Sequence, residues 1–453
     1  MDLSRRGFLI GTGAAALAAS APAWLPRVSY ARAHNSAAQD VIVQIYLRGG
    51  CDGLTVCVPW NEANYQNARP NLKVLGPGGG ANSVIDLLSG NTAPSATAPG
   101  GQVAFGFHQA MAPLMQAYGD GKLAVVHAAG FTNQSKSHFD AQKFMEAGKL
   151  NDLSVVTGWL GRHIASVDPM VPGALLRAVG VADGLQRTLL GADHALPVPD
   201  LQSGTGTPPA MSNFVNYGLL GTTATKTARS NTLMSMYSSA GGALGESATN
   251  TFNTISLLNQ IGASGYVHSI PGGSNPTAYP TNSLGNALKS TAALIDAQVG
   301  VEAVAIDNGG WDLHQNEGSA AGTVVGTDMY NQIDSLAKAI SAFYSDLLVG
   351  KGRSVTLIVI SEFGRRLGEN GTIGTDHGYG NIMLVLGGAV NGRRVVTQWP
   401  GVSAAMPAFN QDLGVTIDYR DVLSEIISKR LGNAANLPSI FPGYTYTDRG
   451  VMV

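Results

Sequence analysis

Charge and cysteine are what this chain has least of. Charged residues make up 13% of its 453 positions, and the net charge is −2. So weak a balance gives no reason to expect nucleic acid or an anionic membrane surface as a partner. Only two cysteines occur, Cys51 and Cys57, too few for a cysteine-based metal site. In an oxidising compartment they could pair, or both could be buried thiols, and their spacing does not choose between the two. Long apolar runs are also missing. The one near the N-terminus is shorter than the ~20 residues a membrane helix needs, and Ser20, Pro22 and Pro26 interrupt it. No integral membrane span is therefore expected, and no internal repeat is evident.

What the chain does have begins with MDLSRRGFLIGTGAAALAASAPAW, in which Arg5 and Arg6 precede Phe8-Leu9 and a weakly apolar Ala/Gly run. This reads as a twin-arginine export signal ending near Ala31-Arg32-Ala33, which implies a periplasmic or secreted protein. Residues 1–33 would be removed, leaving 34–453 as one elaborated domain. Substrates of that pathway usually fold before export, often around a cofactor or metal.

Near-continuous apolar runs at 41–47, 123–130, 301–308, 354–361 and 381–388 read as strands covered on both faces, with 173–182 a weaker sixth. Helical patterns lie between them, so an α/β fold with a large, mostly parallel central sheet is expected. Residues 185–298 are poor in charge and rich in Ser, Thr, Asn, Gly and Ala, which suggests a helical insertion or cap shaping access.

Ligands of open α/β sheets gather beyond the carboxyl ends of the strands. There the sequence places Asp52 after the first run and Ser135, Ser137 and His138 after the second. Asp312 and His314 follow the third, Glu362 and Arg365 the fourth, and Asp376-His377 immediately precede the last. Taken alone, each fits a helix cap, a turn or a solvated charge. Recurring at successive strand ends, carboxylates and imidazoles instead suit a divalent ion held rigidly by several elements. His108, His127 and His163 lie within ordered elements and read as structural.

The segments GGCDGLTVCVPW, SKSHFDAQKFMEAG, GWLGRH, WDLH, SEFGR and TDHG together resemble the twin-arginine-exported domain-of-unknown-function family 1501. That family is similar to the alkaline phosphatase–sulfatase superfamily, which implies a three-layer αβα sandwich binding one or two divalent metals. On this resemblance Asp52, Asp312, His314, Glu362, Asp376 and His377 are metal-ligand candidates, for Zn, Mn, Mg or Ca. Ser137 or Ser135 would attack a small anionic phosphate or sulfate ester, with Arg365 stabilising developing charge and His138 assisting. The superfamily's strand-end Asp-His pair is replaced here by Glu362-Phe363, so a second ion loses an imidazole unless Asp376 or His138 substitutes. Neither serine has the Cys-x-Pro-x-Arg context of a sulfatase, which argues against formylglycine chemistry. A catalytically degenerate ligand-binding or assembly protein is the alternative these substitutions imply.

Overall fold

The computed structural model describes residues 41–453 apart from 88–95, 99–100, 132–134, 183, 199–200, 202–221, 240–241, 264–265, 269–277, 319–325 and 403–411. The export signal read at 1–33 lies outside the described residues.

The molecule is built on a nine-stranded sheet. Its strands include β1 (Val41–Leu47), β2 (Leu123–Gly130), β3 (Ala178–Gly180), β4 (Ala195–Pro197), β5 (Ala303–Asn308) and β6 (Val355–Ser361). A short hairpin outside the sheet supplies β7 (Arg365–Glu369) and β8 (Thr375–His377). The sheet resumes with β9 (Asn381–Gly387), β10 (Arg394–Val396) and β11 (Ile417–Asp418). The order is β10-β2-β9-β6-β1-β5-β3-β4, with β11 also against β2. Among the described strands of this sheet, β9 alone runs antiparallel to both its neighbours.

The apolar runs become strands because both faces of the sheet are covered. Val43 and Ile45 face one hydrophobic cluster, together with Leu288 of α5 (Ser283–Asp296) and Ile333 of α6 (Asp328–Phe343). Ile42 and Tyr46 face the other, with Phe144 of α1 (His138–Ala147), Leu160 of α2 (Trp159–Ala165) and Leu423 of α7 (Tyr419–Lys429). The result is a mixed α/β fold with helices on both sides of a mostly parallel sheet. Within the 185–298 segment lie α3 (Thr223–Ser238) and α4 (Gly242–Ala263). The same segment also contributes the edge strand β4 and the core helix α5. Cys51 and Cys57 are both free, buried thiols. Among the described residues no helix is long and apolar enough to cross a membrane.

Register aligns the ends that matter. Leu47 pairs with Asn308 and with Ser361, so the chain leaves β1, β5 and β6 at one level. Because β9 runs the other way, its first residue, Asn381, lies beside Ala129 near the end of β2. The β7–β8 hairpin before β9 and the loop after β2 therefore reach the same edge.

Candidate metal centre

Asp312 is the hub of a cluster at that edge. The loop after β5 presses its backbone against the loop after β1: a Cβ on Gly49, whose φ is +124°, would lie 2.5 Å from the Asp312 nitrogen. Side chains then converge on the carboxylate. His314 Nε2 is 3.0 Å and His377 Nε2 3.1 Å from Oδ1, while His138 Nε2 is 3.3 Å from Oδ2. His314 Nε2 and His377 Nε2 stand 2.9 Å apart.

Outer contacts set the imidazole tautomers. His377 Nδ1 donates to the Lys136 carbonyl at 2.9 Å, and a carbonyl can only accept. His138 Nδ1 donates to Glu362 Oε1 at 2.8 Å, and His314 Nδ1 lies 3.4 Å from Asp376 Oδ1. With protons held on Nδ1 of His138 and His377, their Nε2 lone pairs point inward. His314 Nε2 meets His377 Nε2 at 2.9 Å, and the buried His138 Nε2 makes no hydrogen bond. Neutral imidazoles anchored through the far nitrogen by carboxylates and a carbonyl are the outer-shell pattern of metal-binding histidines. His138, Asp312 and His377 can offer ligand atoms within 4.8 Å of one another. Imidazole nitrogens plus one carboxylate fit a divalent ion of the zinc or manganese kind.

The electrostatics agree. Burial tends to raise the Asp312 pKa, but the Arg365 guanidinium and His377 outweigh it and hold it down to about 2. Hydrogen bonding to Glu362 raises His138 despite partial burial, while burial lowers His377. Burial tends to raise Glu362, yet hydrogen bonds from His138 and Gln142 leave it lowered.

Other expected roles change. Glu362 is fully buried, and its Oε1 accepts from Gly49 N, Gln142 Nε2 and His138 Nδ1 at 2.8, 2.9 and 2.8 Å. It orients His138 instead of facing an ion. Asp376 likewise lies behind His314 and also accepts from Asn370 at 3.3 Å. Asp52 is buried in an ion pair with Arg69, accepting from Nη1 and, at 3.0 Å, from Nη2; Thr55 adds a hydroxyl at 2.5 Å. With its charge matched there, it is not a member of the cluster. Arg365 is 1% exposed, so it is no open anion clamp. Its donors reach the carbonyls of Gly49, Gly50, Trp311 and Thr375, and Asp312 Oδ1 at 2.6 Å, stapling the loops together. Ser137 is the exposed N-cap of α1, beside His138, and its side chain makes no capping bond. Its backbone N–H donates to Ser135 Oγ at 3.2 Å. The structural reading of the other histidines is matched by their settings: His127 contacts the Cys57 carbonyl, His108 caps a 3-10 turn, and His163 pairs with Asn433.

Sequence reading did not single out Gln142 or the Lys136 carbonyl. Gln142 lies four residues after His138, one turn along α1, and that spacing is a signal that could have found it.

Residues 273–423 match the family model described as Protein of unknown function (DUF1501), a stretch that carries Asp312, His314, Glu362 and His377 but not His138. No curated protein and no solved structure matches the chain.

Proposed function

We propose that this protein is an exported, periplasmic metal-dependent hydrolase of small phosphate or sulfate esters, built on an alkaline-phosphatase-like sandwich. One observation carries the reading: Nε2 of His138 and Nε2 of His377, each with its proton held on Nδ1, converge with the Asp312 carboxylate within 4.8 Å of one another, a set of acceptors that a shared cation would satisfy. Asp312, His314 and His377, with His138 beside them, would hold the ion. Once bound, it would polarise an ester oxygen and lower the pKa of a coordinated hydroxyl.

The chain's own groups prepare that step. Glu362 keeps the His138 proton on Nδ1 and so leaves Nε2 free to accept. Lys136, through its carbonyl, does the same for His377. Arg365 fixes the Asp312 carboxylate at the level of the strand ends. Ser137, exposed at the N-terminus of a ten-residue helix, presents a hydroxyl where helix amides favour an anionic group, and it is the nucleophile we assign.

The test is hydrolysis of a panel of aryl phosphate monoesters, diesters and aryl sulfates, with the chain replete in Zn2+ or Mn2+. Activity on one ester class, lost in His377→Ala together with the ion and lost in Ser137→Ala with the ion retained, supports the reading. Equal activity in all three proteins, or none in any, overturns it. One observation favours a second reading, a catalytically degenerate binding or assembly protein on the same fold. The Arg365 guanidinium already sits 2.6 Å from Asp312 Oδ1, and buried Phe363 stands among the cluster's rings, 4.9 Å from His138 and 4.7 Å from His377. Ion binding without turnover of any ester would select it.

A further inference from the structure

The edge that holds the imidazoles is richer in carboxylates than one divalent ion requires. Asp52, Asp312, Glu317, Glu362 and Asp376 all lie on the loops and hairpin around it. Whether they hold more than one ion depends on which oxygens the protein has already satisfied.

Glu362 is saturated on Oε1 by three donors, and Ser361 Oγ reaches its Oε2 at 3.2 Å. Both Asp52 oxygens accept from Arg69, and both residues are buried. Glu317 accepts from Thr375 Oγ1 at 2.7 Å and leaves Oε1 without a hydrogen bond, but burial, with Asp52 alongside, pushes its pKa well above the usual carboxylate range, so it offers no anionic oxygen. Asp376 stands behind His314 on the Nδ1 side. That leaves Asp312, one of whose oxygens is held by Arg365 at 2.6 Å. Phe363, 2% exposed, packs a ring with no ligand atom against His138 and His377. A Cβ on Gly50 would lie 2.5 Å from the Phe363 ring, so that ring cannot shift toward the β1 loop.

We propose that the centre takes a single divalent ion and that the Arg365 guanidinium is a built-in second cation, neutralising Asp312 from the protein side. The guanidinium has the properties of a fixed charge. It is buried and held by carbonyls of two loops and of strand β8, so it does not leave when an ion arrives. Among the described residues of this edge, the unmatched cation site is then the face of Asp312 to which the Nε2 atoms of His138 and His377 point. This inference rests on the metal-dependent reading of the same cluster.

Metal stoichiometry separates the two ideas. The purified full chain is saturated with Zn2+ and, separately, with Mn2+, then gel-filtered and assayed by elemental analysis, with titration calorimetry for the affinity. One equivalent per chain is expected. Two equivalents would overturn the fixed-cation assignment and leave the metal-dependent reading standing; none would overturn both. Arg365→Gln removes the charge and, if folded by circular dichroism, is expected to take up a second equivalent at Zn2+ concentrations where the native chain stops at one. A folded Gln variant that also stops at one refutes the role given to Arg365. If that variant does not fold, the native stoichiometry still decides whether one ion is bound.

Discussion

Glu362→Gln is the substitution that most directly asks whether the outer contacts set up this centre. The carboxylate takes three donors on Oε1 and one hydroxyl near Oε2. A glutamine can place its carbonyl at the Oε1 position and turn its amide toward Ser361 Oγ. That hydroxyl donates to the Leu47 carbonyl and accepts from Cys51 N, so one lone pair remains to receive the amide. All the buried partners stay satisfied, and only the charge is lost. Hydrogen bonds to a charged group are worth about 1 kcal/mol more than neutral ones. Three of them, combined less than additively, predict a loss of about 2–3 kcal/mol in unfolding free energy. The imidazole of His138 also becomes less basic, and loss of such an outer partner lowers metal affinity about 10–100-fold. Glu362→Leu differs in kind. It strands three buried donors at about 1–3 kcal/mol each and is expected to cost more than about 4 kcal/mol or to prevent folding. Urea denaturation and Zn2+ titration of the two variants measure this. A Gln variant within twofold of native affinity, or a Leu variant as stable as Gln, would refute the assignment of Glu362 as the group that orients His138.

Four further outcomes are expected. Zn2+ affinity should fall as pH drops through the His138 pKa, which hydrogen bonding to Glu362 holds above its ordinary 6.5, because a protonated Nε2 cannot bind metal; an affinity flat from about pH 8 to 6 would contradict this. In the metal-free chain the sign differs between partners. The contribution of His138 is complete below its unfolded pKa and lost as pH rises through the raised folded value, whereas that of Glu362, lowered from 4.5, is lost as pH falls through its folded value. Stability from the pair therefore peaks between those two values, as urea midpoints across pH should record. Arg69→Met should cost about 3–5 kcal/mol by leaving Asp52 buried and unpaired, with Zn2+ stoichiometry unchanged; loss of the ion in a chain of native stability would return Asp52 to the ligand set. Gly364→Ala puts a Cβ 1.9 Å from the Gly380 carbonyl, a backbone clash that should cost about 1–3 kcal/mol and displace the β7–β8 hairpin, lowering Zn2+ affinity along with the urea midpoint.

How much of the site could be read before the fold was known depended on where each residue's partner lies. Asp312, His314 and His377 are legible because the ends of apolar runs are visible in one dimension: Asp312 and His314 follow one run, and His377 stands just before another. The spacing of Asp312 and His314, two apart, still brings Oδ1 and Nε2 within 3.0 Å, because the loop after β5 lies pinned against the loop after β1. Arg365 is legible as a charge near the strand ends, expected to stabilise developing charge, but nothing local says that its donors meet carbonyls from positions 49 to 375. Gln142 escaped notice because its meaning depends on Glu362, far away in sequence.

By itself, then, the sequence determined the buried strands. Val41–Leu47 and Leu123–Gly130 coincide with their apolar runs, because a strand covered on both faces must be apolar along its length. It also determined that metal-competent side chains crowd one edge. The short edge strands β4, β10 and β11, of three, three and two residues, carry too few side chains to show a period. Only the tertiary structure decided which carboxylates remain open to an ion. A carboxylate's role is set by the donors that reach it, and those come from residues as far apart as 49, 138 and 142 for Glu362 and from a single arginine for Asp52.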